Sequence, residues 1–549
     1  MQKAIDEFFN PDYEEDLHDP FLMLGMEKAV KRILKAIKNQ EETVIFGDYD
    51  ADGVCGAAIL QKTLKMLGAN LLDTYIPNRA IEGYGFNFNA VRELASRGAK
   101  LIISTDCGVT DFEEIKLANS LKMEVIITDH HEIINRLPEA LAVVNPYQKK
   151  DKYPFKDLAA AGVAFKLVQA LILKSKQKIA PGWEKWLLDL VAIATVAESV
   201  SLLGENRTLV KYGLFVLAQT NKIGLQELMK IARLSPVLNQ DNLSTNLDSR
   251  TLGFVLGPRL NAASRMDHAN TAYRLLITED RQEADNLAKD LEQKNRDRQV
   301  LTEKVMNQVQ ERLKQKEVMP ALIFEGSSDW PIGILGLVAG RLTDQYFRPA
   351  IIFNENEKFC KASARSIPKF NLTDVMKNSM KFLMEFGGHP MSAGFSFKKE
   401  NADALKKSFE DLAIKLIMAE DSIPEIQVDS QINAADINFE LFDEIQKFEP
   451  FGEDNENVSF LLKNLTVWDI KNVGGSGQHI KFELESGDIK NKKLKAIGFN
   501  LTSKNGHIKI GDKIDIIFNF IINEWNGNKE LQFKIIDIKK LCPVRQPRL

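Results

Sequence analysis

Four short apolar, β-branched runs punctuate the first third of the chain: "TVIF" at 43–46, "LIIST" at 101–105, "VIIT" at 125–128 and "LAVVNP" at 141–146. Between them lie segments such as "GAAILQKTLKMLG", whose apolar spacing suits an amphipathic helix. Such runs, alternating with helices, predict buried parallel strands and an α/β sheet of the doubly wound kind. From about residue 158 to 275 the pattern turns helical, with "GVAFKLVQALIL" and "WEKWLLDLVAIATVA" as its strongest apolar stretches. The segment 280–317 contains neither glycine nor proline and sets Leu287, Leu291, Leu301, Val305 and Val309 at spacings that one helical face can share. A long helix bridging two domains is expected there, in preference to a short coiled coil, because the heptads are imperfect. After Pro320, "ALIFEG" and "PAIIF" predict a second α/β unit reaching about residue 415. The last part alternates in "IKFEL", "KIDIIF" and "LQFKIIDIK", with a glycine-rich loop "VGGSGQ" and a hairpin signal "NGN" at 526–528. That pattern predicts a small antiparallel barrel.

A chain of 549 residues is longer than one hydrophobic core usually supports. Its balance of apolar and charged residues is that of an ordinary globular protein. The sequence has no apolar stretch long enough for a bilayer, and its start, "MQKAIDEFFNPDYEEDLHD", is acidic early and lacks a signal-peptide core. A cytoplasmic protein with no membrane partner is therefore expected. Cys55, Cys107, Cys360 and Cys542 follow no zinc-ligand spacing or disulfide framework, which fits a reducing compartment. A formal charge of -4 excludes a generally basic coat, so a polyanionic partner would have to meet a local basic patch.

One acidic stretch changes the picture. "FGDYDADG" places Asp48, Asp50 and Asp52 at alternate positions, where they repel one another unless a cation sits among them. Taken alone it could equally be a turn or a calcium-type loop, although the EF-hand pattern needs a glutamate where Ile59 stands. "HEIIN" is not a zinc-protease motif, since Asn135 takes the place of its second histidine. What favours chemistry is repetition: Asp50, Asp52, Asp106 of "TDCG" and His130 of "TDHH" all fall just after predicted strands. The carboxyl ends of strands are where doubly wound sheets collect ligands. Hard oxygen ligands with imidazole and no thiolate suit manganese or magnesium better than structural zinc. Two such ions, about 3.5–4 Å apart, could activate water and steady both oxygens of a phosphodiester displacement.

"DYDADG", "TDCG", "TDHH", "ATVAESVSLLGENR", "GPRLNAASRM", "KASARSIP", "GGHPMSAGF" and "FEPFGEDNE" occur in that order. With them the chain resembles the DHH phosphoesterase superfamily over nearly its whole length, and within it the single-strand-specific 5′-to-3′ exonucleases of bacterial recombination and repair. The resemblance implies a DHH catalytic domain with a helical extension over 1–280, a connecting helix over 281–318, a DHH-associated domain over 319–420 and an oligonucleotide-binding (OB) barrel over 421–549. It implies two manganese or magnesium ions held by Asp48, Asp50, Asp52, Asp106 and His130. Glu198 stands where the family's fourth motif has an aspartate, and Asp106, His130 and His131 take the catalytic roles. Pro331 stands where family members usually carry a histidine beside the tryptophan, so no contact is expected there.

A nuclease that grips backbone without reading sequence needs arginine forks and stacking surfaces. Arg79 and Tyr84 in "IPNRAIEGYGF", Arg259 and Arg265 in "GPRLNAASR", and Ser363 and Arg365 in "KASARS" are the candidates, with His389 of "GGHPMSAGF". By resemblance, Arg79, Arg259, Ser363 and Arg365 form a pocket for a 5′-terminal phosphate, and polarity comes from that pocket. Trp468, Lys481, Phe482 and Trp525 are candidates for strand contacts on the barrel, and each could equally be a core or rim residue. The expected substrate is single-stranded DNA, cut to 5′-mononucleotides, and the expected partners are a DNA helicase and a single-strand-binding protein. The alternatives are a phosphoesterase of short oligonucleotides or cyclic dinucleotides, and a catalytically weakened single-strand-binding scaffold.

Overall fold

The computed structural model describes residues 2–133, 136–239, 244–356, 358–418, 425–475, 477–489, 493–502, 507–525 and 528–541. They form two compact units, one of residues 10–424 and one of residues 1–9 with 425–549.

In the larger unit, β1 (Thr43–Gly47), β2 (Leu71–Tyr75), β3 (Leu101–Thr105), β4 (Glu124–Thr128) and β5 (Ala142–Val144) make one sheet in the order 2-1-3-4-5, parallel throughout. The central β1 and β3 are buried along their whole length, which is why they read as unbroken apolar runs. The sequence reading lacked β2: it is a half-buried edge strand, "LLDTY", with Asp73 in its middle. The chain order reverses between β1 and β3, and in a sheet of this order that crevice is the ligand site.

The helix Ala51–Met66 follows β1 and packs against the helices Ala160–Lys174 and Leu188–Glu198. Its first ten residues, 51–60, are all buried, and exposure appears only in its second half. Gly53 lets its first turn close on the preceding loop: a Cβ there would lie 2.5 Å from the carbonyl oxygen of Asp48.

Beneath the sheet, Lys166 forms an ion pair with Glu205, and both side chains are fully buried. The Glu205 carboxylate also accepts from the Tyr153 hydroxyl (2.6 Å) and the His18 amide (3.1 Å), while Lys166 Nζ donates to the His18 carbonyl (3.0 Å). This cluster fastens the segment around His18 to the helical layer.

The long helix is Arg281–Lys314. Leu291 belongs to the first core, and Val305, Met306, Val309 and Leu313 join Trp330, Leu335 and Val338 in another, so the helix bridges two packed layers of the larger unit. The second sheet orders its strands as Leu383–His389, Ser392–Lys398, Phe359–Arg365, Ala350–Glu355 and Ile323–Ser327.

In the smaller unit, strands Phe460–Val473, His479–Glu485, Leu494–Gly498, Asn528–Lys540 and Lys513–Trp525 close on one another into a ring. This is the small barrel expected, and one of its pairs, 494–498 with 528–540, is parallel. Five strands cannot alternate direction all the way round a closed ring, so one parallel pair is unavoidable. Residues 526 and 527 of the hairpin signal "NGN", and residue 476 of "VGGSGQ", lie outside the described residues. Phe8 and Phe9 of the helix Gln2–Phe9 pack edge-on against Phe448, with centroids 5.8 and 5.1 Å away.

Candidate metal centre and arginine cluster

Register builds the centre. Gly47 of β1 pairs with Thr105 of β3, and Thr105 with Thr128 of β4, so the three strands end level. The next residue of each is an aspartate, and the ladder runs one step further: the Asp48 amide donates to Thr105, that of Asp106 to Thr128 and that of Asp129 to Val144. Asp48, Asp106 and Asp129 therefore stand in a row along the sheet's carboxyl edge, all buried. Asp106 then turns with a φ of 64°, a left-handed conformation that a non-glycine residue adopts at a cost.

Asp50 caps the 51–66 helix, its Oδ1 accepting from the amides of Asp52 (3.0 Å) and Gly53 (3.2 Å). The Asn261 side chain accepts from the Ala51 amide at 2.8 Å, which ties the "GPRLNAASR" helix to this loop. Asp52 differs from its neighbours, because both its oxygens accept backbone amides, from Ala160 and Ala161, at 2.7 Å each. Burial and the charge of Asp50 still push its carboxyl up to about 7.

His130 Nε2 lies 3.4 Å from Asp106 Oδ1, 3.8 Å from Asp52 Oδ2 and 3.9 Å from Glu198 Oε1. Burial and the neighbouring His131 push this imidazole down to about 4, which leaves it neutral and able to ligate a metal. His131 behaves oppositely: burial disfavours its charge, but the hydrogen bond of its Nδ1 with Asp129 Oδ1 (2.8 Å) outweighs this and raises it to about 9. Burial and the charges of Asp50 and Asp52 push Glu198 up to about 9.

Two groups of ligand atoms, each within 4.8 Å of one another, share one member: Asp48, Asp50 and Asp106, and Asp106, His130 and His131. Asp48 Oδ1, Asp106 Oδ1 and His130 Nε2 are buried without a hydrogen-bond partner among the described residues. Buried polar atoms are normally satisfied. Three orphans around one point, all oxygen or imidazole, fit hard divalent ions, which Asp48, Asp50, Asp106 and His130 would hold. Metal-free protein thus carries mutually repelling buried carboxylates. Manganese at a hundredfold its dissociation constant should add about 2.7 kcal/mol of stability. A melting curve with and without the ion checks this, and an unchanged midpoint would refute it.

The arginines separate into two sets. Arg265 is half-buried with Nη1 on the Gly333 carbonyl (3.0 Å), Arg365 Nη1 donates to the Ala364 carbonyl (2.9 Å), and Arg79 lies over the Tyr49 ring at 4.7 Å. None of the three has a carboxylate partner among the described residues. Ser363 and Arg365 share one face of their strand, whose other face buries Cys360, Ala362 and Ala364. They meet the start of the helix Leu335–Tyr346, where a Cβ on Gly336 would come within 2.9 Å of Ser363 Oγ and 3.3 Å of Arg365 Nη2. Arg259 is different: Nε pairs with Glu292 at 2.8 Å and Nη1 donates to Val255 at 2.7 Å, so its charge is spent within the helical layer.

Tyr84, read as a substrate contact, donates its hydroxyl to the Asp106 carbonyl (2.9 Å) and sits 3.1 Å from His131 Nδ1, at the metal centre itself. His389 is exposed on the edge strand 383–389, where it pairs with Ser392, and its side chain makes no hydrogen bond or ion pair among the described residues. On the barrel, Phe482 is buried in the core, the second of the two readings open to it, whereas Trp468 is half-exposed and Lys481 exposed. The Trp525 side chain lies outside the described residues. The sequence reading missed Asp129 and Asn261. The first carried a signal, its place directly after β4; the second carried none.

Three family models match: the DHH family N-terminal domain over residues 42–195, the DHHA1 domain over 298–415 and the RecJ OB domain over 428–537. The single-stranded-DNA-specific exonuclease RecJ of Bacillus subtilis is 38% identical over 526 residues, covering 95% of this chain. The chain spans 64% of that relative's length. The protein of the same name from Haemophilus influenzae is 30% identical over 94% of this chain and 91% of its own. The crystal structure of RecJ in complex with Mn2+ from Thermus thermophilus superposes with a TM-score of 0.83 at 27% identity, covering 98% of this chain and 74% of that one. Its Mg2+ complex gives 0.77 at 26% identity, covering 98% and 73%.

Proposed function

Since the chain belongs to the RecJ family, we propose that it is a metal-dependent exonuclease that degrades single-stranded DNA from the 5′ end to 5′-mononucleotides, in DNA recombination and repair. The observation that carries this reading is the pair of ligand groups joined at Asp106, with three orphaned buried atoms among them. Bound manganese or magnesium supplies Lewis acidity and activation of water.

The protein's own groups do the rest. Asp48, Asp50, Asp106 and His130 hold the ions, and Glu198 reaches the same cage from the end of its helix. Asp52 clamps the first turn of the 160–174 helix to the metal loop through two amides. Asp129 is a positioning residue: it takes His131 Nδ1 and the amides of His130, His131 and Val109, fixing the ring beside Asp106. Arg79, Arg265, Ser363 and Arg365 grip a terminal 5′-phosphate, with Arg265 in the place first assigned to Arg259. Guanidinium forks match phosphate geometry, so an end is recognised without reading a base.

The domains divide accordingly: catalysis in 1–280, the connecting helix over 281–318, closure by 319–420, and added strand affinity from the barrel over 421–549. Trp468 and Lys481 are its exposed candidates. No helix among the described residues is long and apolar enough to cross a membrane. The protein works in the cytoplasm beside a helicase and a single-strand-binding protein, which would supply and present the strand.

The test is digestion of matched single- and double-stranded DNA, labelled at either end, with manganese. Single strands should shorten from the 5′ end only; binding without cutting would support a scaffold instead. Glu198→Gln should weaken divalent-ion binding by about 10–100-fold, and Glu198→Asp by less, since it keeps the charge. Equal losses in the two variants would mean that length rather than charge matters at this position. Binding should also weaken with salt, log K falling by about 0.7 per phosphate contact for each unit of log salt. A flat response in a binding titration would count against a phosphate-gripping channel.

A further inference from the structure

At its end remote from the metal loop, the 51–66 helix meets a cavity of about 570 Å³ whose lining includes Gln61, Lys62, Lys65, Trp183, Trp186 and Asn221. Cavities that take small molecules commonly measure about 300–1,000 Å³. Asp50 caps one end of the helix and Lys62 lies near the other, which at about 1.5 Å per residue separates their Cα atoms by roughly 18 Å. The cavity is therefore distinct from the metal centre. Its tryptophan wall is held in place. Both rings belong to the short helix Trp183–Leu187, and the buried Lys222 donates from Nζ to the Trp186 carbonyl (2.5 Å) and to Asp189 (3.0 Å). Asp189 also accepts from the Thr220 hydroxyl at 2.6 Å, which fastens that wall to the 188–198 helix.

The polar groups facing this space are largely unspent. The side chains of Gln61, Lys62 and Asn221 make no hydrogen bond or ion pair among the described residues. Lys62 is half-buried, and burial together with the charge of Lys222 holds its ammonium below the usual lysine range. Lys65 pairs at 3.2 Å with Glu279, the one carboxylate in the lining, but both side chains are exposed and such a pair holds weakly in water. Lys222 is already matched by Asp189. Trp186 is 39% exposed and keeps part of its ring uncovered. An indole face stacks on any nucleobase, a free amide can meet a base edge, and an ammonium takes phosphate as a point charge. A bare inorganic anion would leave the rings and amides unused, and an apolar ligand would leave Lys62 unpaired.

We propose that this cavity is a second site that binds a free nucleoside 5′-monophosphate, with the base against Trp186 and the phosphate between Lys62 and Lys65. Lysines three apart on a helix are neighbours on its surface, so one phosphate reaches both. A terminal monophosphate brings about two negative charges where each diester of a strand brings one, and it suits two ammonium groups better. Glu279, in the same lining, disfavours a longer run of phosphates. That the ligand is also the product of the reaction rests on the exonuclease reading; the chemistry of the cavity does not.

The experiment is equilibrium dialysis of deoxyadenosine 5′-monophosphate against the metal-free full chain, in wild type, Lys62→Ala, Lys62→Arg, Trp186→Ala, Trp186→Phe and Arg365→Ala. Binding should weaken about tenfold in Lys62→Ala and in Trp186→Ala, recover in large part with arginine and phenylalanine, and stay at the wild-type level in Arg365→Ala. A wild type that binds no nucleotide overturns the proposal, as does unchanged binding in Lys62→Ala. A loss confined to Arg365→Ala would place the nucleotide in the arginine cluster instead. Inorganic phosphate or deoxyadenosine binding as tightly as the nucleotide would reduce the site to an anion or a ring contact, and overturns it too. A single-stranded oligonucleotide that displaces the nucleotide from Arg365→Ala protein would make the cavity part of the strand's path, against the free nucleotide. Failure of the wild type to cut any strand with manganese refutes the exonuclease reading alone, because the dialysis involves neither metal nor turnover.

Discussion

Asp106→Ala should lower the rate of single-strand cleavage by at least about a thousandfold, roughly 4 kcal/mol of transition-state stabilisation, while single-strand affinity changes only a few-fold. The carboxylate belongs to both ligand groups, so its removal dismantles both halves of the cage at once. Its backbone is held independently, by the amide bond to Thr128 and by the Tyr84 hydroxyl on its carbonyl, so the β3 end should keep its shape. Pre-steady-state cleavage and fluorescence anisotropy on the same preparation separate the two quantities. A loss under tenfold would remove Asp106 from the centre of the mechanism.

The largest effect on stability should come from Lys166→Met. Truncating one partner of a buried ion pair leaves the other charge stranded, at a cost of about 3–5 kcal/mol. Here Glu205 would keep the Tyr153 hydroxyl and the His18 amide. The double variant Lys166→Met/Glu205→Gln should recover a large share of the loss, since no charge is left to desolvate. Denaturant titration of the three proteins tests this, and additive losses in the double variant would show that the pair is not energetically coupled.

What the sequence displayed most clearly was whatever local chemistry had to mark. β1, β3 and β4 are buried on both faces, so their apolar runs are uninterrupted, and the aspartates after them interrupt those runs abruptly. The 281–314 helix was legible because its apolar residues keep helical spacing without a breaker. β2 was hidden by its edge position, where half-burial permits Asp73. The fate of the arginines was hidden for another reason: Arg259 finds Glu292 thirty-three residues away, and no local pattern encodes such a meeting. Asp129 sat in plain view within "TDHH", but its role as an orienter depends on a side-chain hydrogen bond rather than on spacing. Phe482 was open between a stacking surface and the core because an aromatic on a barrel strand can face either way, and register put it inside.

The helix Gln2–Phe9, whose two phenylalanines rest on Phe448, gives the smaller unit a particular history of assembly. That helix leaves the ribosome before any of residues 10–424, and its aromatic partner follows more than four hundred residues later. Closing so long a loop costs entropy that grows only slowly with length, so the docking is feasible but late. Until it happens, the apolar side of that helix is available to chaperones. A barrel expressed from residue 425 onward would lack a piece of its own unit, and supplying residues 1–9 as a separate peptide would be the way to give it back.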